Sequence, residues 1–207
     1  IMDLSINNIV NIMKRKGYYG LNQYFQFYTQ DNQDLYINYI KKLSTRLKSE
    51  GYRLVFTVTP QSNSEEPQTV YEKVDYSFML EYADSLLFLT YNWGYSYGPP
   101  ASATPVNLLN TAISGIIEQV PPEKLCLGLP VIGYDWPLPY ISGYTKANAI
   151  TTDTAIQTAA YEEVPIQYNE ISQAPFYFYN AGKQSIHNVW FKDARSINAI
   201  SSLVHQY

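Results

Sequence analysis

Short apolar segments alternating with amphipathic helical stretches mark this 207-residue chain as an α/β protein built on a parallel sheet. Two further observations narrow the architecture. No glycine-rich phosphate loop follows any expected strand, so an open doubly wound sheet of the nucleotide-binding type has no support. Aromatic and amide residues collect where the expected strands end, around 24–28, 91–93, 134–136 and 190. A (β/α)₈ barrel places its chemistry at that rim. The sequence therefore predicts a portion of a TIM (β/α)₈ barrel.

The elements follow in order. Ile6, Ile9, Val10, Ile12 and Met13 recur at helical spacing, and Lys14, Arg15, Lys16 and Gly17 close that helix, since cations and then glycine suit a helix C-terminus. An aromatic strand is expected over roughly Tyr18 to Phe27. Asp31 can cap a second helix whose stripe is Leu35, Tyr36, Tyr39, Ile40, Leu43 and Leu47, ending at Gly51. Arg53 to Thr59 reads as a strand stopped by Pro60, and Gln61 to Gln68 as a loop. Val70 to Ala83 carries a turn or two of helix. Ser85 to Tyr91 is nearly all apolar, as for a strand buried on both faces.

Tyr95 to Thr104, with Gly98, Pro99 and Pro100, is a loop. A helix over about Val106 to Gln119 ends at Pro121 and Pro122, and Leu125 to Val131 is the next buried strand. Residues 133–180 form an α+β insertion within the domain, with a helix near Thr152 to Tyr161 and extended pieces near Ile166 and Phe176. Val189 to Phe191 ends a last strand and Ala194 to Gln206 closes the chain as a helix. Five strands are counted in all.

Composition excludes several classes. Hydrophobic residues make up 46% and charged residues 15%, enough for a packed core. A net charge of −4 argues against nucleic acid and anionic membranes, which need a basic face. No apolar run is long enough to span a bilayer. One cysteine rules out an internal disulfide framework, and two histidines argue against a metal site. Cys126, in an apolar run, is expected as a buried structural thiol. No basic and apolar leader opens the chain, but Ile1 is not a translation start, so export cannot be judged from it.

The 21 tyrosines, 8 phenylalanines and 3 tryptophans offer apolar bodies with polar edges. Trp93, Trp136 and Trp190 each stand at or just beyond an expected strand end, beside Asn92, Asp135 and Asp193. Aromatic platforms with neighbouring amides and carboxylates suit a sugar, so the three together are read as lining a carbohydrate cleft. Asp193 precedes the last helix and is read as its N-cap.

Long segments carry a more specific likeness. These are Phe88-Leu-Thr-Tyr-Asn-Trp-Gly-Tyr-Ser-Tyr-Gly-Pro-Pro100, Pro121-Pro-Glu-Lys-Leu-Cys-Leu-Gly-Leu-Pro130 with Gly133-Tyr-Asp-Trp-Pro-Leu-Pro-Tyr140, and Val189-Trp-Phe-Lys-Asp-Ala-Arg-Ser-Ile197. In that order they resemble the sixth, seventh and eighth strand segments of glycoside hydrolase family 18, the chitinase-like barrels, and more narrowly its spore cortex-lytic N-acetylglucosaminidases. The resemblance covers essentially the whole of residues 1–207 and begins at the third helix. It implies about strands four to eight of the barrel, without the first three. Lys192 stands where the family usually has an acidic residue.

The family's D-x-x-D-x-D-x-E motif aligns with Tyr19-Gly-Leu-Asn-Gln-Tyr-Phe-Gln26. By that resemblance Gln26 stands at the general acid, Tyr24 at the carboxylate that steadies the substrate's acetamido group, and Tyr91 is the acetamido-positioning tyrosine. Asn22 is usual in the cortex-lytic branch. The substrate-assisted mechanism of this family departs from the two-carboxylate scheme. Gln26 keeps the shape of glutamate but has no acidic proton. The resemblance then implies a β-1,4 polymer of N-acetylglucosamine (peptidoglycan or chitin) as ligand, with hydrolysis impaired. Asn22, Asn92, Trp93, Tyr134, Asp135, Trp136 and Trp190 are the expected contacts, without metal or organic cofactor. Location outside the cell, at the wall or spore, is implied in the same way. Two alternatives stand beside it: an active hydrolase with Asp135 as its acid, and a scaffold that self-associates through an open barrel edge.

Overall fold

A computed structural model describes residues 2–24, 33–59, 76–91, 93–182 and 185–207. They fall into two compact units: 1–89 with 116–127, and 90–115 with 128–207.

In the first unit, α1 (Met2–Lys16) buries Ile6, Val10 and Met13, the i, i+4, i+7 stripe of one helix face, while Ile12 lies exposed. Gly17 ends it at φ +69°, a conformation glycine adopts without steric cost. After β1 (Gly20–Gln23) comes α2 (Gln33–Ser49), which buries Ile40, Leu43 and Leu47. Leu35 departs from the expected stripe: it is 65% exposed, in the first turn before the buried face begins. Then follow β2 (Arg53–Val58), α3 (Tyr76–Tyr82) and β3 (Ser85–Leu89). After α4 (Val106–Ile116), which lies mostly in the second unit, a short 3₁₀ turn, Pro122–Lys124, leads into β4 (Leu125–Gly128).

The sheet order is β1-β2-β3-β4, with β1 to β2 and β2 to β3 parallel. Asp84 fixes the start of the β2 and β3 pair, accepting from Leu54 N–H at 2.9 Å and from Arg53 at 2.6 Å. Burial pushes its carboxyl up, but the two hydrogen bonds outweigh it and hold the group below the usual carboxylate range.

Three expectations need correction here. β3 is not buried on both faces: Leu86 and Phe88 are buried while Ser85, Leu87 and Leu89 are half-buried. Cys126 is exposed rather than a core thiol, because β4 is an edge strand of this sheet. The expected aromatic strand is described only over Gly20–Gln23; Gln26 and the proposed cap Asp31 lie outside the described residues, as does the loop from Gln61 to Gln68.

The second unit holds β5 (Ile132–Leu138), β6 (Asn148–Thr151), α5 (Thr152–Tyr161), β7 (Gln167–Asn169), β8 (Ala174–Asn180), β9 (Ile186–Trp190) and α6 (Ala194–Val204). Its five strands form a sheet ordered β6-β5-β9-β8-β7, with the pairings antiparallel. The helix and extended pieces expected in this region are present. The expected last strand, however, is β9, and it pairs with β5 and β8, so among the described residues the sheet of the first unit has four strands rather than five. The pairing of Asn180 with Ile186, only six residues on, with Ala181 N–H on Ser185 O at 2.8 Å, explains this. Antiparallel neighbours need only a hairpin, whereas a parallel neighbour needs a long crossover.

Thr151 caps α5 by accepting from Thr154 N–H at 3.1 Å. The helix sets Ala155 and Ala159 against Tyr177, Val189 and Phe191. Two alanines on that face let the helix approach the sheet closely enough for the Tyr177 hydroxyl to donate to Ala155 O at 2.7 Å. Burial pushes the Tyr177 hydroxyl up to about 12. Asp193 caps α6 as expected, accepting from Arg195 and Ser196 N–H.

Candidate functional site

Strand alternation decides what each expected site residue on β5 can do. Tyr134 lies opposite Trp190, which lies opposite Phe176; Trp136 lies opposite Asn188, which lies opposite Phe178. These two rows share one face of the antiparallel sheet. Asp135, opposite Val189 and so level with Tyr177, belongs to the other face, the one that carries α5.

On the first face Trp190 is half-buried and its ring stacks on Phe176, centroids 4.7 Å apart and planes 16° apart. Its indole N–H is buried with no hydrogen-bond partner among the described residues, as is Oδ1 of Asn188 two residues before. Trp136 differs from its expected role. It is fully buried, its indole N–H donates to Gly98 O at 2.7 Å, and Tyr134 packs on it at 5.5 Å. A ring with no exposed surface offers no platform to a sugar; the wide indole and its one donor are used to seat the 95–104 loop. Burial raises the Tyr134 hydroxyl.

On the second face Asp135 has both oxygens engaged. Oδ2 accepts from the Tyr179 hydroxyl at 2.8 Å and Oδ1 faces Nδ1 of His187 at 2.7 Å. A carboxylate only accepts, so His187 donates through Nδ1–H and its other ring nitrogen carries the lone pair or second proton. Burial first, then the Asp135 carboxylate, raises the Tyr179 hydroxyl. This cluster ties β5, β8 and β9 together and occupies both Asp135 oxygens.

Tyr91 is half-buried and follows Thr90, whose N–H and hydroxyl both donate to Gly128 O at 3.1 and 3.0 Å. Thr104 donates to Thr90 O at 2.5 Å and in turn receives Lys192 Nζ on its own carbonyl at 3.1 Å. Lys192, 4% exposed, has its ammonium pushed down to about 8 by burial. Trp93 is half-buried, and Asn92 lies outside the described residues.

In the first unit, Asn22 on β1 is exposed and its Oδ1 accepts from the Thr57 hydroxyl at 2.7 Å. Tyr24, just past β1, is 40% exposed, and Tyr19 before it is 78% exposed. Among the described residues, no group of three His, Cys, Asp or Glu side chains could hold a metal ion, and no helix is long and apolar enough to cross a membrane.

Sequence reasoning did not foresee His187, Tyr179 or the buried Lys192. The alternation signal was available: His187 and Trp190 are three residues apart on one strand and so must face opposite ways.

Comparison with known proteins bears on the whole chain. The sequence model of glycosyl hydrolases family 18 matches residues 4–207. A cortical fragment-lytic enzyme of Bacillus subtilis is 31% identical over 201 residues, which cover 97% of this chain and 47% of that protein. The crystal structure of the Bacillus megaterium spore cortex-lytic enzyme SleL superposes with a TM-score of 0.88 at 32% identity, covering 99% of this chain and 47% of that one. A chitinase from Chromobacterium violaceum shares the α/β fold, with a TM-score of 0.82 at 23% identity over 98% of this chain and 62% of that one. The chain spans about half the length of the curated relatives it matches. Matched from its first helix to its last residue, the chain belongs to glycosyl hydrolases family 18.

Proposed function

We propose that this chain holds β-1,4-linked N-acetylglucosamine polymers, peptidoglycan in the first place, and that hydrolysis is impaired. One observation carries the reading: between Gly17 and Gln30 there is no aspartate or glutamate, and the motif resemblance sets Gln26 and Tyr24 where the family has its acid and its carboxylate partner. An amide cannot protonate a leaving oxygen, and loss of a general acid costs about 10²–10⁴ in rate. Tyr91, Trp93 and Trp190 supply the contacts that remain: a hydroxyl for the acetamido group and faces for the pyranose. The names of the cortical fragment-lytic and spore cortex-lytic relatives favour peptidoglycan of the wall or spore over chitin. On this reading residues 1–207 are a portion of the barrel, with 133–180 as its insertion.

The mechanism that is left is recognition. A pyranose over Trp190 would meet an aromatic pair already stacked at 4.7 Å, so little ordering of the site is needed on binding. Asp135 as a replacement acid is disfavoured by its two occupied oxygens. The double substitution Tyr24→Asp with Gln26→Glu tests the reading: release of reducing ends from N-acetylglucosamine oligomers by the variant, and not by the parent, is the expected result. Turnover by the unchanged chain contradicts it.

A further inference from the structure

Three successive carbonyls of one loop each accept a hydrogen bond from a single later segment. Ser96 O accepts from Ala147 N–H at 2.7 Å, Tyr97 O from the Tyr140 hydroxyl at 2.9 Å, and Gly98 O from the indole of Trp136 at 2.7 Å. Gly98 N–H also closes a turn onto Tyr95 O at 3.0 Å, and a Cβ on Gly98 would sit 2.7 Å from the Tyr95 ring. The later segment is braced as well: Thr145 Oγ1 accepts from Ile141 N–H at 2.7 Å. Despite this fixed backbone, Tyr95, Tyr97 and Tyr144 remain 45%, 52% and 86% exposed. Rigid, exposed aromatic rings give contact area at low ordering cost, which is what a binding surface needs.

The charge pattern says what kind of ligand fits. From 93 to 117 there is no charged residue, and from 129 to 152 there are two, Asp135 and Lys146. Asp135 is closed off by His187 and Tyr179. Lys146 is exposed, with Nζ 5.4 Å from the centroid of the Tyr97 ring and no ion-pair partner among the described residues. Its position is set by Ala147, whose N–H is the bond to Ser96. An uncharged aromatic surface with one held cation suits a neutral ring that carries a single carboxylate.

We propose that Tyr97 and Lys146 form a subsite that selects β-1,4 glycans whose N-acetylhexosamine units bear a carboxylate side arm over neutral ones. It rests on the sugar-holding reading above and names which polymer is preferred.

Calorimetry with three probes tests it: N-acetylglucosamine hexamer, a peptide-stripped muramoyl glycan with free lactyl carboxylates, and the same glycan with those carboxyls amidated. The wild-type chain should bind the carboxylate form about three- to fivefold more tightly than the amidated form, the range of one exposed ion pair. Lys146→Gln should erase that difference without weakening hexamer binding, and Lys146→Glu should reverse it. Equal affinity for the two muramoyl forms in the wild type, or a preference that survives Lys146→Gln, overturns the subsite. If the hexamer binds and Lys146 has no effect, the subsite alone fails. If none of the three glycans binds, the sugar-holding reading fails with it. Lys146 is exposed and caps no buried group, so its replacement leaves the fold intact, which near-ultraviolet circular dichroism verifies.

Discussion

Asp135 and His187 meet at 2.7 Å, carboxylate to Nδ1, on the face of the antiparallel sheet opposite Trp136 and Trp190. Adjacent in sequence, Asp135 and Trp136 therefore do different work. The carboxylate joins β5 to β8 and β9, and the indole anchors the loop before it.

Removing Asp135 takes the carboxylate acceptor from two half-buried donors, the Tyr179 hydroxyl and His187 Nδ1–H. Asp135→Ala should lower stability by about 1–3 kcal/mol, the cost of donors deprived of their charged acceptor, whereas Tyr179→Phe keeps the His187 bond to Asp135 and should cost about 1 kcal/mol. Urea unfolding of the two variants checks the order. Equal, negligible losses would show that the cluster is not closed as described.

Trp136 is predicted to behave as core. Trp136→Phe removes the donor to Gly98 O and opens a small cavity, with an expected loss of about 2–3 kcal/mol. In a chain where Trp93 and Trp190 are replaced by phenylalanine, the remaining Trp136 emission should resist acrylamide quenching. Ready quenching would restore it as an exposed platform.

The buried Lys192 gives a pH signature. Its folded value of about 8 lies below the unfolded value, so the unfolded chain binds more protons between them. Burying the charge weighs on the fold below about pH 8, and that burden lifts as pH rises toward about 10.4, by roughly 2–3 kcal/mol. Lys192→Met lacks the titrating group. The stability difference between it and the parent should narrow over that window, measured as urea midpoints at pH 7 and pH 10. A difference that does not change with pH contradicts a charged, buried Lys192.

Cys126 should react with a thiol reagent in the folded chain, one equivalent without denaturant, because it is exposed on the edge strand β4. Reaction only after unfolding would return it to the core.

Much of the architecture was legible because it rests on local periodicity. The stripe of Ile6, Val10 and Met13, the cap at Asp193 and the helix at Thr152–Tyr161 all follow from residue spacing and end signals. What could not be read depends on pairing. Nothing local tells β9 to choose β5 and β8 rather than a parallel neighbour, and the apolar run around Cys126 does not reveal an edge strand. Aromatic residues at strand ends likewise look alike in sequence. Alternation across β5 separates Trp136 from Asp135, while hydrogen bonding to Gly98 separates Trp136 from Trp190, whose indole N–H has no partner among the described residues.

The central claim is that Gln26 and Tyr24 leave holding without cutting. Titration of N-acetylglucosamine oligomers by calorimetry, with a reducing-end assay on the same protein, addresses it most directly. Binding in the absence of turnover is the predicted result; reducing ends released by the unchanged chain would contradict it.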